Sequence, residues 1–160
     1  MKQFFVASLI AASLAFPAFA QQLTFGGVEQ DPNAPIEVAS EKLDVNQATG
    51  SAVFSGDVVV TQGLMRLSAQ RIEVFYTDGG GEIDTMKATG NVTLINGEEA
   101  AEANQADYSV KNGTVVMSGS VLVTQGPSAV SADRMTVDIE TGKAQLDGRV
   151  RTLLKQSTNQ

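Results

Sequence analysis

The chain contains no cysteine, no histidine and no tryptophan. Without cysteine there are no disulfide staples, so the fold rests on burial alone. Without histidine, the commonest general base near neutral pH and the commonest metal ligand are both missing. Aromatic residues are few, with only 2 Tyr. A carbohydrate site normally presents aromatic platforms, which leaves a sugar-binding or sugar-cleaving β-fold the weakest of three readings. Positive charge is also short: 11 Lys and Arg stand against 18 Asp and Glu, a formal net charge of −7. Nucleic-acid binding is disfavoured, because such proteins carry a basic stripe.

Long apolar runs are absent beyond the N-terminus. There, Lys2 supplies a positive start, residues 4–16 an apolar core, and Ala18-Phe19-Ala20 an A-x-A cleavage site. That run is too short and wrongly flanked for a stop-transfer helix. The pattern predicts a cleaved signal peptide over 1–20 and a mature chain from Gln21, whose net charge becomes −8 once Lys2 is lost. A flexible lead-in is expected over 21–34, a single domain over 35–154 and a flexible tail over 155–160. Charge is unevenly spread: residues 21–57 carry a net −5, residues 141–160 a net +3. If the chain ends form opposite ends of the fold, the molecule is polarised; ordinary solvated charge is the plainer reading.

What the sequence does have is a recurring Gly-x-Val: Gly56-Asp57-Val58, Gly90-Asn91-Val92, Gly119-Ser120-Val121 and Gly148-Arg149-Val150. The glycines are 34, 29 and 29 residues apart. Val58-Val59-Val60-Thr61-Gln62-Gly63 has a twin in Val121-Leu122-Val123-Thr124-Gln125-Gly126, and the segment 68–74 has one in 131–137, both offset by 63 residues. Such a period marks a repeat architecture, in which each unit buries its apolar face by stacking on its neighbour.

Alternation by twos predicts the elements. Ile36 and Val38 share a face, and 41–45 reads as a second short strand before a turn at 46–50. Further strands are expected over 51–61, 64–76, 92–95, 114–123 and 129–139, with Leu67 and Ala69, then Ile72, Val74 and Tyr76, on one face. Residues 98–105 read as irregular, leading into a strand with Ala106, Tyr108 and Val110 on one side. Asn96-Gly97 and Asn112-Gly113 are hairpin signals, and 143–154 reads as a last hairpin. Short strands with turns about every ten residues indicate an all-β stack.

The apolar faces are aliphatic, drawn from Val, Ile, Leu, Met and Ala. They suit a dry core, or an open groove for aliphatic chains at about 0.8 kcal/mol per buried CH₂. Periodicity does not choose between these. On pattern alone Val58, Val60, Val121, Val123 and Val137 are candidate groove residues, although a one-residue slip would reverse a face.

Residues 35–38, 56–63, 68–74 and 106–108, with Gly119-Ser120-Val121 and Gly148-Arg149-Val150, together resemble the OstA-like family over about 35–154. No one of these motifs is specific; their ordered series is. The resemblance implies a V-shaped β-jelly-roll of stacked antiparallel strands, open at both ends. It implies a periplasmic, non-enzymatic bridge protein that carries lipopolysaccharide between the inner and outer membranes. Lipid A acyl chains would lie in the apolar inside, with Ile36, Val38, Leu94, Tyr108 and Val110 as the matching contacts. An acidic body would hold those chains rather than the phosphates, since like charges repel. The implied partners are an LptC-like inner-membrane protein at one edge, an LptD-like outer-membrane protein at the other, and further copies joined head to tail. No cofactor is implied. A structural β-solenoid scaffold without lipid ligand is the alternative.

Other chemistry has thin support. Glu98, Glu99 and Glu102 cluster as carboxylates of a hydrolase would, but an acid run is more often a solvated face. The segment 79–84 is similar to a calcium-binding β-roll repeat, yet Glu82 stands where that repeat needs Gly. Asn91-Val92-Thr93 and Asn112-Gly113-Thr114 match glycosylation sequons. Catalytic and metal-binding residues are not expected.

Overall fold

The computed structural model describes residues 34–79 and 81–154; the expected signal peptide, nearly all of the lead-in, and the tail over 155–160 lie outside the described residues. Ten strands follow in order: β1 (Ile36–Ala39), β2 (Lys42–Asn46), β3 (Ser51–Gln62), β4 (Met65–Tyr76), β5 (Ile83–Asn96), β6 (Glu99–Ser109), β7 (Thr114–Gln125), β8 (Ser128–Asp138), β9 (Ala144–Asp147) and β10 (Arg151–Leu153). They form one antiparallel sheet, with β3 to β8 paired in chain order. The near-30 period is thus one β-hairpin, and the 63-residue twins are the hairpins β3–β4 and β7–β8.

Each Gly-x-Val is a β-bulge. Gly56, Gly90, Gly119 and Gly148 have φ of 81°, 83°, 82° and 76°, and Asp57, Asn91, Ser120 and Arg149 follow at 42°, 47°, 52° and 44°. Two left-handed residues in succession insert one extra residue, so pairing breaks between Ser55 and Val58, between Thr89 and Val92, and between Ser118 and Val121. Glycine is needed at the first place because a Cβ at Gly90 would lie 2.6 Å from Gln70 Oε1 and 3.0 Å from its Cβ. The equivalent side chains beside Gly56, Gly119 and Gly148 are Glu41, Asn104 and Asp133. The four bulges therefore line up across the sheet as a crease. The inward set of β4 runs Met65, Leu67, Ala69 and then slips to Ile72 and Val74 at this line. Strands that bend at bulges in this way pass from one layer to the other.

The crease divides the sheet into two layers whose inner faces share one apolar cluster. In the first layer Phe54, Ile72, Ala88, Ala106, Met117, Met135 and Leu146 stand opposite one another in succession. In the second, Val38, Val60, Leu67, Leu94, Ala101, Val123 and Val130 do the same. Val58, Val92 and Val121, the valines of the first three motifs, are fully buried beside the crease. Val150 of the fourth motif is exposed, because no described strand lies beyond it.

Three expectations need correction. Residues 99–105 are not irregular but the first part of β6. Their Ala and Glu content favours a helix in isolation, yet pairing on both sides and burial of Ala101 and Ala103 prevail. Residues 143–154 are not a hairpin: β9 and β10 both pair with β8, on either side of the crease, as β1 and β2 both pair with β3. Tyr76 continues the inward alternation in sequence but is exposed at the end of β4.

Candidate functional site

The inner face brings all ten sequence-predicted residues together. Val58, Val60, Leu94, Tyr108, Val121 and Val137 belong to the buried cluster, while Ile36, Val38, Val110 and Val123 are partly buried against it. The two groups differ in reach. The first six are structural fill in this conformation, and the last four lie where the apolar face approaches solvent. Sequence reasoning missed Ile72, Met86, Met117 and Met135, which are among the largest fully buried side chains. They carry the same two-residue alternation, but none follows the Gly-x-Val signal that drew attention to the valines. Four methionines in one cluster, these three and Met65, give it flexible, unbranched packing.

Among the described residues, Ile72, Met86, Leu94, Met117 and Met135 are fully buried between the layers. Between Met65, Leu94 and Asn96 on one layer and Val137 and Ile139 on the other lies a cavity of about 10 Å³, enough for about one water. At the ends the apolar face is open. Leu43 and Val45 of β2 continue the inner rungs beyond Phe54 and Ala52 and are 51% and 65% exposed. Leu146 and Ala144 of β9 are partly buried at the opposite end.

A polar row borders this face where the second-layer hairpins turn. Gln62, Asn96 and Glu99 are buried there, in register with Met65 and Gln125. The Gln125 amide donates to the Glu99 carboxylate, and the Gln62 amide donates to the Ala34 carbonyl at 3.2 Å. Tyr108 is buried beneath the apolar layer, which pushes its phenol above the ordinary value and keeps it neutral. The interior is thus largely aliphatic, with amides and the Glu99 carboxylate at its rim.

The carboxylates suspected of hydrolytic chemistry do not converge. Glu99 turns inward, Glu102 lies on the exposed face of β6, and Glu98 belongs to the preceding turn. Among the described residues no group of three or more His, Cys, Asp or Glu is placed to hold a metal ion. At the segment 79–84, Thr77 N–H donates to the Glu82 carbonyl at 2.9 Å, between β4 and β5.

The outer surface is unlike the inside. On the first layer Lys42 pairs with Asp44 at 2.7 Å, Arg71 with Glu73 at 3.8 Å and Lys87 with Asp107 at 4.0 Å, all largely solvated. At the C-terminal edge the Arg149 guanidinium donates to both oxygens of Asp133, at 2.6 to 3.1 Å. That hydrogen bond, aided by the charge, holds the Asp133 carboxyl below the usual range and raises Arg149. Asp138 is also lowered, by the backbone and side-chain hydrogen bonds of Thr141 in the turn into β9. The first and last described strands form opposite edges of the sheet, so among the described residues acidic β1–β2 and basic β9–β10 are its two outer sides.

Comparison with known proteins adds four findings. A family model described as "LptA/(LptD N-terminal domain) LPS transport protein" matches residues 37–143. A Rhizobium meliloti (strain 1021) protein of undescribed role is 32% identical over 162 residues, covering 93% of this chain and 87% of its own. The lipopolysaccharide export system protein LptA of Escherichia coli (strain K12) is 27% identical over 144 residues, covering 86% and 73%. Among solved structures, LptH of Pseudomonas aeruginosa, described as the LptA-homologous periplasmic component of a lipopolysaccharide transport device, superposes with a TM-score of 0.71. It is 18% identical and covers 79% of this chain and 99% of its own, a likeness of fold.

Proposed function

The chain belongs to the family of LptA and LptD N-terminal-domain LPS transport proteins, and from that premise we propose that it is a periplasmic bridge protein carrying lipopolysaccharide between the two membranes. Lipid A acyl chains are held against the aliphatic inner face, and copies or partners add at the free sheet edges. The observation that carries this reading is the placement of all ten candidate residues on one inner face that remains apolar to both open ends. A closed scaffold would gain nothing from leaving Leu43 and Val45 uncovered on that face.

With Ile72, Met86, Leu94, Met117 and Met135 packed between the layers, an acyl chain enters as the layers part. The partly buried positions are met first. In a folded protein, Val38→Asp or Val110→Asp is expected to weaken lipopolysaccharide binding at least about tenfold, since a carboxylate there opposes burial of several CH₂ groups. Unchanged binding by both folded variants would remove the inner face from the account.

The edges carry the second part. Free sheet edges are normally a liability, and here they accept an LptC-like inner-membrane protein on one side, an LptD-like outer-membrane protein on the other, or another copy. A head-to-tail contact between unlike edges builds an open filament rather than a closed ring. With one edge acidic and the other basic, raising salt from about 0.05 to 0.5 M shortens the Debye length severalfold and is expected to weaken self-association. Association indifferent to salt, followed by light scattering, would remove the charge argument.

A further inference from the structure

Within the chain the register repeats strictly enough to extend it. Ser55 stands between Lys42 and Arg71, Thr89 between Arg71 and Gln105, and Ser118 between Gln105 and Arg134. Asp147 holds the fourth such place, paired with Arg134 on one side and with no described strand on the other. Strand direction alternates, with the split pair β1/β2 running as β4, β6 and β8 do, and β9/β10 running as β3, β5 and β7 do. A second copy placed edge to edge therefore continues the ladder with its β1/β2 beside β9/β10. By the same count its Lys42 meets Asp147, and its Leu43 and Val45 cover Leu146 and Ala144. At the crease Arg149 takes the place of Asp57, Asn91 and Ser120, and the incoming Glu41 takes that of Gln70, Asn104 and Asp133.

We propose that Arg149 and Asp147 on one edge, with Glu41 and Lys42 on the other, form a charge key that sets the register of a head-to-tail joint between two copies of this chain. The proposal rests on the edge-pairing reading above. In a single copy Glu41 lies against the Gly56 bulge next to Asp57, and neither carboxylate has a cation within 4.0 Å among the described residues. Arg149 uses one side of its guanidinium on Asp133, and five donors leave the other free for a second carboxylate. A depression of about 340 Å³ lined by Asp133, Arg149 and Arg151 opens at that edge to receive one. The Lys42–Asp44 pair is well exposed, so Lys42 exchanges partners at little cost.

The key also rejects wrong registers. A one-residue slip would turn Leu43 and Val45 to the outer face. A two-residue slip in one direction would set Asp147 against Asp44, a like-charge pair directly opposed across strands.

The test uses two full-length mature proteins, Glu41→Arg and Arg149→Glu, with sedimentation velocity at low salt as the readout. Each alone opposes like charges at the joint, and its apparent dissociation constant is expected to rise about five- to tenfold. An equimolar mixture is expected to recover association as mixed pairs, because Arg at 41 then meets Glu at 149. Circular dichroism melts check the fold, and the milder Glu41→Gln and Arg149→Gln are each expected to weaken association less, with mixing recovering only the joint between the intact Arg149 of the first and the intact Glu41 of the second. Wild-type association by both charge-reversed proteins, or no recovery in the mixture, would overturn the key alone. Failure of the wild-type chain itself to associate at any concentration would overturn edge pairing between copies and the key with it.

Discussion

Gly119→Ala is expected to destabilise the domain by about 2–4 kcal/mol, lowering its melting midpoint by about 10 °C. Two effects add. The residue sits at φ 82°, where an L side chain costs about 1–2 kcal/mol. Its new Cβ would also fall 2.7 Å from the Asn104 side-chain nitrogen and 2.9 Å from Asn104 Cβ. The amide can swing away, but a Cβ is fixed to its strand, so the crease itself must shift. Gly113→Ala separates the two effects, since Gly113 has φ 58° with nothing within 4 Å. It is expected to lose about 1 kcal/mol, the backbone cost alone. Urea unfolding of both proteins gives the comparison, and equal losses would mean that contact across the crease contributes nothing.

Tying the layers together is expected to stop lipid uptake without harming the fold. Asn96 and Ile139 line the same small cavity from opposite layers. The chain has no native cysteine, so Asn96→Cys with Ile139→Cys can be joined by a short thiol-reactive linker without side products. If chains enter by parting the layers, the joined protein is expected to bind lipopolysaccharide at least about tenfold less than the same protein carrying a one-ended reagent. The packed interior is the reason: among the described residues Ile72, Leu94, Met117 and Met135 are fully buried between the closed layers. Equal binding by joined and unjoined protein would place the lipid elsewhere, on the outer face or at an edge.

Much of the fold was legible because alternation by twos is a direct readout of strand faces. Ile36 with Val38, Leu67 with Ala69, and Tyr108 with Val110 all keep the faces their spacing assigns them. The slip from Ala69 to Ile72 was also visible, and it marks the crease. Its cause was less readable. Gly-x-Val announces a repeat, but that its glycine and the residue after it are both left-handed is a property of the paired strands. Residues 99–105 were misread because Ala-rich composition speaks for a helix when no neighbour is considered, and β5 and β7 decide otherwise. The last hairpin failed for a similar reason. Gly148 and Arg149 look like a turn but carry the chain across the crease, a distinction that depends on Asp133 of β8. Within the candidate site, spacing located the inner face, while only burial separated Ile36, Val38, Val110 and Val123 from the residues that fill the middle.

The most direct test of the central claim is binding of residues 21–160 to intact lipopolysaccharide and to the same molecule stripped of its acyl chains, measured side by side by calorimetry. An aliphatic inner face predicts binding of the acylated form alone, with a negative heat-capacity change from apolar burial. Binding of neither form would leave a closed scaffold, and equal binding of the stripped form would contradict the account by moving recognition to the sugars.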